Sequence, residues 1–438
     1  MKSLRLSWLF LLCPLFAGCG GGAAAGGGTG GSGSNGGPTT VTIKFSGATP
    51  TAVAAQIGSG SFTPMSVTSN ALTLTLPAGT DKFAVAYVCQ TVNGAGSAQT
   101  TSTFQNAIEA STLDGTSFSQ GCGSSPLSNT ATLTGDVDGS AISGVNYVGV
   151  TAGNGNSSQG YFLSGSSSNF SLSMPEGTDR LALGGYVYTS TNQLGANSVW
   201  TLGAIRNFEG VAVPGAVNGG STVVLGASDA VSQQPITYKN VPSGYSSPNT
   251  VGFYIWANSQ GIMLSNGLTT EYPAVPASAS ESGDSYSFQS TTTMSLPSGL
   301  FRELWVGTAT ASGGPLTVSF PAPWDYAGPS PAAQPVFDLS TLGMNGKTGV
   351  AVTGELVWND GTTEIENSVT ATGNYLSNSS TLKMPSLSGL TGFAAPPPSG
   401  TEVVWFAGAT QSSAGSLQPI GQNGTTFGVT SSGVYTVP

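Results

Sequence analysis

Histidine is absent from all 438 residues of this chain. Without an imidazole, the sequence excludes Ser-His-Asp and Cys-His catalysis and every metal site that needs a histidine ligand. Charged residues are also scarce, at 7% of the chain, against roughly a quarter in ordinary soluble domains. Acidic residues outnumber basic ones 20 to 10, so no basic patch is available to neutralise phosphates. We therefore expect no nucleic-acid partner.

The chain also lacks any stretch with sustained helical periodicity. Its 64 glycines separate short runs rich in threonine, valine and tyrosine, a pattern typical of strands and turns. Hydrophobic residues make up 38% of the chain, which is enough to bury a core and argues against disorder. The length exceeds what one hydrophobic core normally supports. The sequence therefore predicts an all-β protein with several modules.

One stretch recurs four times. Residues 76–88 read LPAGTDKFAVAYV, and similar stretches follow at 174–186 (MPEGTDRLALGGY), 296–307 (LPSGLFRELWVG) and 397–408 (PPSGTEVVWFAG). The anchoring prolines are Pro77, Pro175, Pro297 and Pro398, spaced by 98, 122 and 101 residues. This period is the size of a domain. It predicts a tandem array of four β-sandwich modules over residues 40–127, 128–231, 232–338 and 339–438.

Each copy is expected to begin with a tight turn. Proline fixes φ and suits the second position of such a turn, as we predict for Pro77. The glycine two residues later, Gly79, suits a position that needs positive φ. A triplet of threonine, an acid and a basic residue follows in the first two copies (residues 80–82 and 178–180).

The strand after each turn has apolar residues on both faces, which predicts a central strand of a sandwich. The positions expected to face the core are Phe83, Val85 and Tyr87 in the first copy, Leu181 and Leu183 in the second, and Val404 and Phe406 in the fourth. Trp305 and Trp405 occupy one common position of the third and fourth copies. Recurrence at one position predicts that both pack in a core rather than stack on a ligand.

These modules, with a Leu-Pro-x-Gly-Thr turn before a long strand, resemble immunoglobulin-like and transthyretin-like sandwiches. The resemblance covers about a dozen residues in each module. It implies a fold and carries no implication about function.

The first 18 residues predict an export leader. Lys2 and Arg5 precede an apolar run (residues 6–16) that is too short for a membrane-spanning helix. The run ends in Leu-Phe-Ala-Gly before Cys19 and resembles the lipobox of bacterial lipoproteins. This resemblance implies that Cys19 becomes the acylated N-terminus, and Gly20 after it favours the outer membrane. The alternative is an ordinary secretory leader. Residues 19–39, rich in glycine, then form a flexible tether.

Cys89 and Cys122 are the two cysteines outside the leader region. An exported protein enters an oxidising compartment, so we predict a disulfide between them. The alternative is a reactive thiol pair. That alternative needs a basic neighbour to lower a thiol pKa, and the sequence shows none nearby.

Two groups of acids are candidate sites. Asp136 and Asp138 precede a glycine and could begin a calcium loop, but the later ligands of such a loop are missing, so we favour a solvated turn. A second group lies on one predicted hairpin and consists of Glu355, Asp360, Glu364 and Glu366. It could bind a cation or perform acid-base work, or it could be an exposed face that maintains solubility. We expect no metal and no cofactor.

Trp324 and Tyr326 lie in a loop flanked by prolines (residues 321–329). Exposed aromatics there would form a stacking platform for a sugar or a peptide. The alternative is that the proline-rich loop holds both aromatics against its own module.

Three functional hypotheses follow. The first is a non-catalytic lipoprotein, anchored by acyl chains in the outer membrane, with a structural, adhesive or display role in the cell envelope. Its partners would be the membrane and another envelope protein. The second is a subunit that self-associates into a fibre or surface layer through strand edges, which few lysines protect. The third is a carbohydrate-binding envelope protein that uses Trp324 and Tyr326 for a glycan partner.

Overall fold

The computed structural model describes residues 37–93, 100–122, 130–153, 158–188, 199–257, 260–268, 270–342, 349–361, 363–377, 379–412 and 424–438. The predicted leader, Cys19 and tether residues 20–36 lie outside these ranges. Strands dominate the described chain, which confirms the predicted all-β class. The helical elements are single turns, including α1 (Gly373–Leu376). No helix in the described ranges is both long enough and apolar enough to span a membrane.

The strands follow the chain in four groups. The first group is β1 (Thr39–Gly47), β2 (Ala52–Ile57), β3 (Thr63–Pro64), β4 (Ala71–Leu76), β5 (Lys82–Asn93), β6 (Thr100–Ser111) and β7 (Ser117–Cys122). The second is β8 (Thr130–Asp138), β9 (Tyr147–Gly153), β10 (Ser158–Ser164), β11 (Ser167–Pro175), β12 (Gly177–Tyr188), β13 (Trp200–Val213), β14 (Gly215–Ala216) and β15 (Val223–Val224). The third is β16 (Ser232–Lys239), β17 (Asn249–Ile255), β18 (Gly261–Leu268), β19 (Glu271–Ala274), β20 (Ser285–Ser295), β21 (Phe301–Thr310) and β22 (Leu316–Ser319). The fourth is β23 (Val336–Asp338), β24 (Val350–Asn359), β25 (Glu364–Thr372), β26 (Thr381–Lys383), β27 (Glu402–Ser412) and β28 (Gly424–Thr436).

Sixteen strands form one continuous sheet, which we call the long sheet. Its order is β10-β9-β12-β13-β18-β17-β20-β21-β28-β27-β24-β25-β6-β5-β2-β3. Each group contributes four adjacent strands, which we call blocks 1 to 4 by chain order, and the blocks lie in the spatial order 2-3-4-1. All neighbours are antiparallel except β25 and β6, which are parallel. The modules therefore share one sheet instead of following one another as separate sandwiches.

The remaining strands form smaller sheets that cover the long sheet. Their orders are β4-β1-β7, β11-β8-β14 with β15 also on β8, β19-β16-β22, and β23-β26. Strand β23 lies before the predicted boundary at residues 338/339, yet it pairs with β26 of the fourth group. The fourth group thus begins earlier than the spacing of the prolines indicates.

The covering sheets do not all lie on one side of the long sheet. Paired residues of neighbouring strands share a face, and successive residues alternate. Tyr87, in the core under the first covering sheet, therefore shares a face with Asn106, Ser368 and Glu355 across β6, β25 and β24. Leu356, in the core under the fourth covering sheet, points the other way. The second layer changes sides between blocks 4 and 1.

The observed faces correct two predictions about which residues point into a core. In the fourth copy, Val403 and Trp405 are buried in the core, whereas Val404 and Phe406 are only partly buried. Trp305 and Trp405 are both buried but on opposite faces, and only Trp405 lies in the core under a covering sheet, so the prediction is confirmed for Trp405 alone. Register explains this, because Trp405 pairs with Gly433 on β28 and Trp305 pairs with Gly428, five residues away and so on the other face.

The turns before the repeated strands follow the prediction only in part. In the third copy Gly299 N donates to Leu296 O at 3.0 Å, so Pro297 is the second residue of its turn, as predicted. The first and fourth copies differ. Thr80 N donates to Pro77 O at 3.0 Å, so this proline is the first residue of its turn rather than the second. Pro398 has the same place, since its carbonyl accepts from Thr401 N at 3.2 Å. The glycine prediction is confirmed: Gly79 has a φ of 81° and Gly400 a φ of 85°, which an L side chain rarely adopts.

Candidate functional site: the central face and the joints of the long sheet

One face of blocks 3 and 4 lies opposite their covering sheets, and we call it the central face. It is defined by Glu303 and Trp305 on β21, Phe406 on β27, Glu355 on β24 and Glu366 on β25. The strand register places all five on one side of the long sheet. This face carries three shielded glutamates, Glu303, Glu355 and Glu366, so it is the first candidate for chemistry.

Glu355 and Glu366 are diagonal neighbours on this face, because Glu355 pairs with Ser368 and Val357 pairs with Glu366. Such neighbours lie about 7–8 Å apart at their Cα atoms. Burial raises the pKa of Glu366 to about 7, and the charge of Glu364 adds to the effect. Burial, with the nearby Glu366, raises the pKa of Glu355 well above its ordinary value. The pair therefore holds protons at pH values where an ordinary glutamate is charged.

Glu303 lies on the same face but on a different strand, β21, apart from the Glu355–Glu366 pair. Across the strands, three intervals separate β21 from β24 and four separate it from β25, so Glu303 lies about 14 Å from Glu355 and about 19 Å from Glu366 in that direction. Burial raises its pKa to about 7. Beside it, Trp305 lies over Gly428, where an added Cβ would stand 2.4 Å from the indole nitrogen. Glycine at 428 is thus required for the indole to lie flat on β28.

This arrangement limits what the acids can do. Within the described ranges, no group of three or more acids and cysteines is arranged to hold a metal ion. A glycosidase acid and base must flank the bond that they cleave, whereas Glu355 and Glu366 project side by side from one sheet surface. The central face offers carboxyl groups of raised pKa beside apolar side chains, and it offers no opposed catalytic pair.

The other predicted acids have local roles. Asp360 lies in the hairpin turn, where its Oδ1 accepts from Thr363 N at 2.8 Å, and Glu364 is exposed on β25. Only two of the four acids of the hairpin are therefore buried together. Asp138 accepts from Ser140 N at 2.9 Å, and the hydrogen bonds from Ser140 lower its pKa. Both Asp136 and Asp138 lie on β8, and the turn begins only after Asp138. The predicted solvated turn is therefore wrong for Asp136 and adjoins Asp138.

Trp324 and Tyr326 do not form an exposed platform. They are 4% and 6% exposed and stack on each other with ring centroids 4.6 Å apart. Trp324 Nε1 donates to Thr341 Oγ1 at 2.9 Å, and the Tyr326 ring meets Trp405 edge-on at 5.7 Å. Their loop belongs to the predicted third module but packs against Trp405 of the fourth block. The second alternative is therefore right that the aromatics are held in a core and wrong about which module holds them. The stacking surface that a sugar would need is already occupied.

The predicted cysteine pair lies at the other end of the long sheet. Cys89 on β5 and Cys122 on β7 form a disulfide that joins the long sheet to the first covering sheet, with Cα atoms 5.3 Å apart. Both residues are buried in the core between these sheets. The bond is therefore structural and not a reactive pair.

The sequence prediction missed the residues that join the blocks. The basic residue of the repeated triplet reaches into a neighbouring block in both copies that have it. Lys82 Nζ donates to Tyr375 O at 2.5 Å and to Ser377 Oγ at 2.9 Å, in the segment around α1. Arg180 reaches Asp284 of the third group. The signal was present, since a basic residue recurring beside a buried strand needs a partner.

The Arg180 contact is a buried ionic cluster. Arg180 Nη1 lies 2.7 Å from Asp284 Oδ1, and the two side chains are 5% and 1% exposed. Asp284 Oδ2 accepts from Tyr254 OH at 2.7 Å and from Glu281 N at 2.8 Å. Burial alone would raise the pKa of Asp284, but hydrogen bonds from Arg180, Tyr254 and Glu281 outweigh it and lower that pKa. Both partners therefore stay charged at neutral pH.

Comparisons with known proteins do not identify the chain. No protein-family model matches it, and neither does any curated protein. Among solved structures, the chain is similar to one described as the Bacillus anthracis TIE protein, with 10% identity and a TM-score of 0.13. The match covers 85% of this chain, which spans 63% of the length of that one. A likeness at this TM-score carries no argument about fold or function.

Proposed function

We propose that this chain is a non-catalytic lipoprotein of the bacterial cell envelope, held at the outer membrane by acyl chains on Cys19. The observation that carries the proposal is the order of its parts. A lipobox-like sequence ends at Cys19, a glycine-rich tether follows, and a β-protein stabilised by a disulfide comes next. Several acyl chains on one residue form a stable anchor, where one chain binds only marginally.

The proposed role is structural, adhesive or for display. A sheet shared by four blocks is a suitable scaffold for projection from a membrane, because no block can move without breaking strand pairs. The absence of histidine from the sequence and the side-by-side arrangement of Glu355 and Glu366 support a role without catalysis. The burial of Trp324 and Tyr326 removes the platform on which the carbohydrate-binding alternative depended.

The test is labelling of cells with a fatty-acid analogue, followed by membrane fractionation. We expect the wild-type chain to carry the label and to sediment with outer membranes. Cys19→Ser should lose both properties. Cys13→Ser is the matched control, because Cys13 lies inside the leader and should be dispensable for acylation. An unlabelled wild-type protein, or equal behaviour of the two variants, would refute the anchor. Protease shaving of intact cells then separates surface display from a periplasmic position.

A further inference from the structure

The two edges of the long sheet differ in how they are protected. At one end, β3 is two residues long and contains Pro64, which cannot donate to a further strand. At the other end, β10 is seven residues long and contains neither proline nor a charged residue. Among the described residues, no strand pairs with the outer side of β10. An edge of this kind is a template for another strand.

The surroundings of β10 are also uncharged. Residues 139–175 include β9, β10 and β11 and contain no acidic or basic residue. The neighbouring β11 is itself the edge of a covering sheet, and Tyr161 OH of β10 donates to Ser173 O of β11 at 3.4 Å. Both layers of the second group therefore end in uncharged strands. Phe162 on β10 is 41% exposed and contacts Tyr186 and Trp200, with ring centroids 4.9 and 5.1 Å away.

We propose that β10 pairs antiparallel with β10 of a second copy of this chain, which joins two long sheets around a two-fold axis. The chain carries a net charge of −10, so two copies repel each other least where charges are absent. A two-fold axis can relate two identical antiparallel strands. The residue on the axis faces its own counterpart, and every other pairing occurs twice, once on each side of the axis. The axis passes through Tyr161, the middle residue of β10.

This pairing makes a dimer and not a fibre. A filament needs a second complementary edge on each subunit, and the β3 end of the long sheet is closed by its length and by Pro64. The self-association hypothesis is thereby narrowed to one interface. With Tyr161 opposite its counterpart, Phe162 faces Gly160 of the second copy and lies about 7–8 Å from the other Phe162.

The test uses the mature protein purified from cells, in a non-ionic detergent that keeps an acyl anchor soluble. Sedimentation velocity over a concentration series should show monomer and dimer. Phe162→Lys and Phe162→Glu should each weaken the dimer at least about tenfold, because like charges then meet across the axis. An equimolar mixture of the two variants should restore dimers, because opposite charges then meet. Leu113→Lys is the control, since Leu113 is an exposed apolar residue far from this edge.

Hydrogen exchange supplies an independent readout. Amides of residues 158–164 should gain protection as the concentration of the wild-type protein rises. A wild-type protein that stays monomeric at every concentration would overturn the proposal. So would equal effects of Phe162→Lys and Leu113→Lys, failure of the mixture to form dimers, or assemblies larger than a dimer that grow with concentration.

Discussion

Two joints of the long sheet are built in opposite ways. At the β13–β18 joint, blocks 2 and 3 share only two paired positions, Trp200 with Asn266 and Thr201 with Ser265. At the β25–β6 joint, blocks 4 and 1 share eight paired positions. The first joint adds the buried Arg180–Asp284 cluster, and the second adds the partly buried Lys82 contact with Tyr375. Where the backbone ladder is short, side chains supply the connection.

The largest effect should come from breaking the Arg180–Asp284 cluster at the β13–β18 joint, where the ladder has only two paired positions. Arg180→Met leaves Asp284 buried without its cation, and we expect a loss of about 3–5 kcal/mol in the free energy of unfolding. Chemical denaturation measures this loss. Arg302→Met is the control, because it leaves behind Asp325, an exposed carboxylate that water can solvate. We expect this variant to cost only about 0–1 kcal/mol. Equal costs for the two variants would show that the cluster does not hold the joint.

Removing the disulfide should lower the free energy of unfolding by nearly as much, with its effect centred on block 1. Cys89 and Cys122 are separated by 33 positions, and closing such a loop stabilises the fold by about 3–4 kcal/mol through chain entropy. The double variant Cys89→Ala/Cys122→Ala should lose this amount in chemical denaturation. A reducing agent should destabilise the wild type and leave the variant unchanged. Hydrogen exchange of the double variant should show lost protection in block 1. Lost protection at β13–β18 instead would contradict the placement of the disulfide's effect in block 1.

The two joints should respond to pH in opposite directions. Burial raises the pKa of Glu366 and of Glu109, both at the β25–β6 joint, to about 7. A glutamate whose pKa is raised on folding makes its full contribution to stability at pH values below 4.5, its ordinary pKa. That contribution is lost as the pH rises toward 7. The lowered pKa of Asp284 has the opposite effect, so the β13–β18 joint should weaken as pH falls below 3.8.

Hydrogen exchange at pH 5 and at pH 8 should resolve the joints. Because amide exchange is itself catalysed by base, the comparison uses protection factors, which divide out the intrinsic rate at each pH. We expect lower protection factors at β25 and β6 at pH 8 than at pH 5, and Glu366→Gln should reduce this difference. Glu402→Gln serves as the control because Glu402 is exposed. A pH response that is the same in both variants would remove Glu366 from the explanation.

The smallest effect should come from the Lys82 contact. Lys82→Met keeps the length of the side chain but removes its hydrogen bonds to Tyr375 O and Ser377 Oγ. We expect a cost of about 1 kcal/mol, since the eight-pair ladder remains. Thermal or chemical unfolding measures this cost. Lys44→Met is the control, because Lys44 is an exposed lysine of the same group. A cost as large as that of Arg180→Met would remove the contrast between the joints.

The strands could be read from the sequence because they depend on local patterns. Alternation in residues 72–76 predicts β4, and an Asn-Asp-Gly turn predicts the β24–β25 hairpin. The Cys89–Cys122 bond followed from the number of cysteines and from the predicted export of the chain. Each of these inferences needs only nearby residues or a count.

The arrangement of the blocks could not be read in the same way. Strand β5 is apolar on both faces, so its pattern does not say which face meets which layer. Trp305 and Trp405 occupy the same position in the repeated stretch, and their blocks are covered on the same side of the long sheet. Trp405 nevertheless points toward that side and Trp305 points away from it, because of the strand register. The raised pKa values of Glu355 and Glu366 depend on burial, which the sequence of the hairpin does not reveal. These features are set by contacts between distant parts of the chain.

The parallel pairing of β25 with β6 has a consequence for how the molecule is assembled. Ser368 and its partner Asn106 are 262 positions apart. During synthesis, β6 is therefore complete long before the strand that will cover its edge exists. Contacts of such separation form slowly and leave strand edges exposed in the meantime. The first quarter of the polypeptide cannot complete its sheet until the last quarter has been made, and a chaperone that shields β6 during that interval would raise the yield of folded protein.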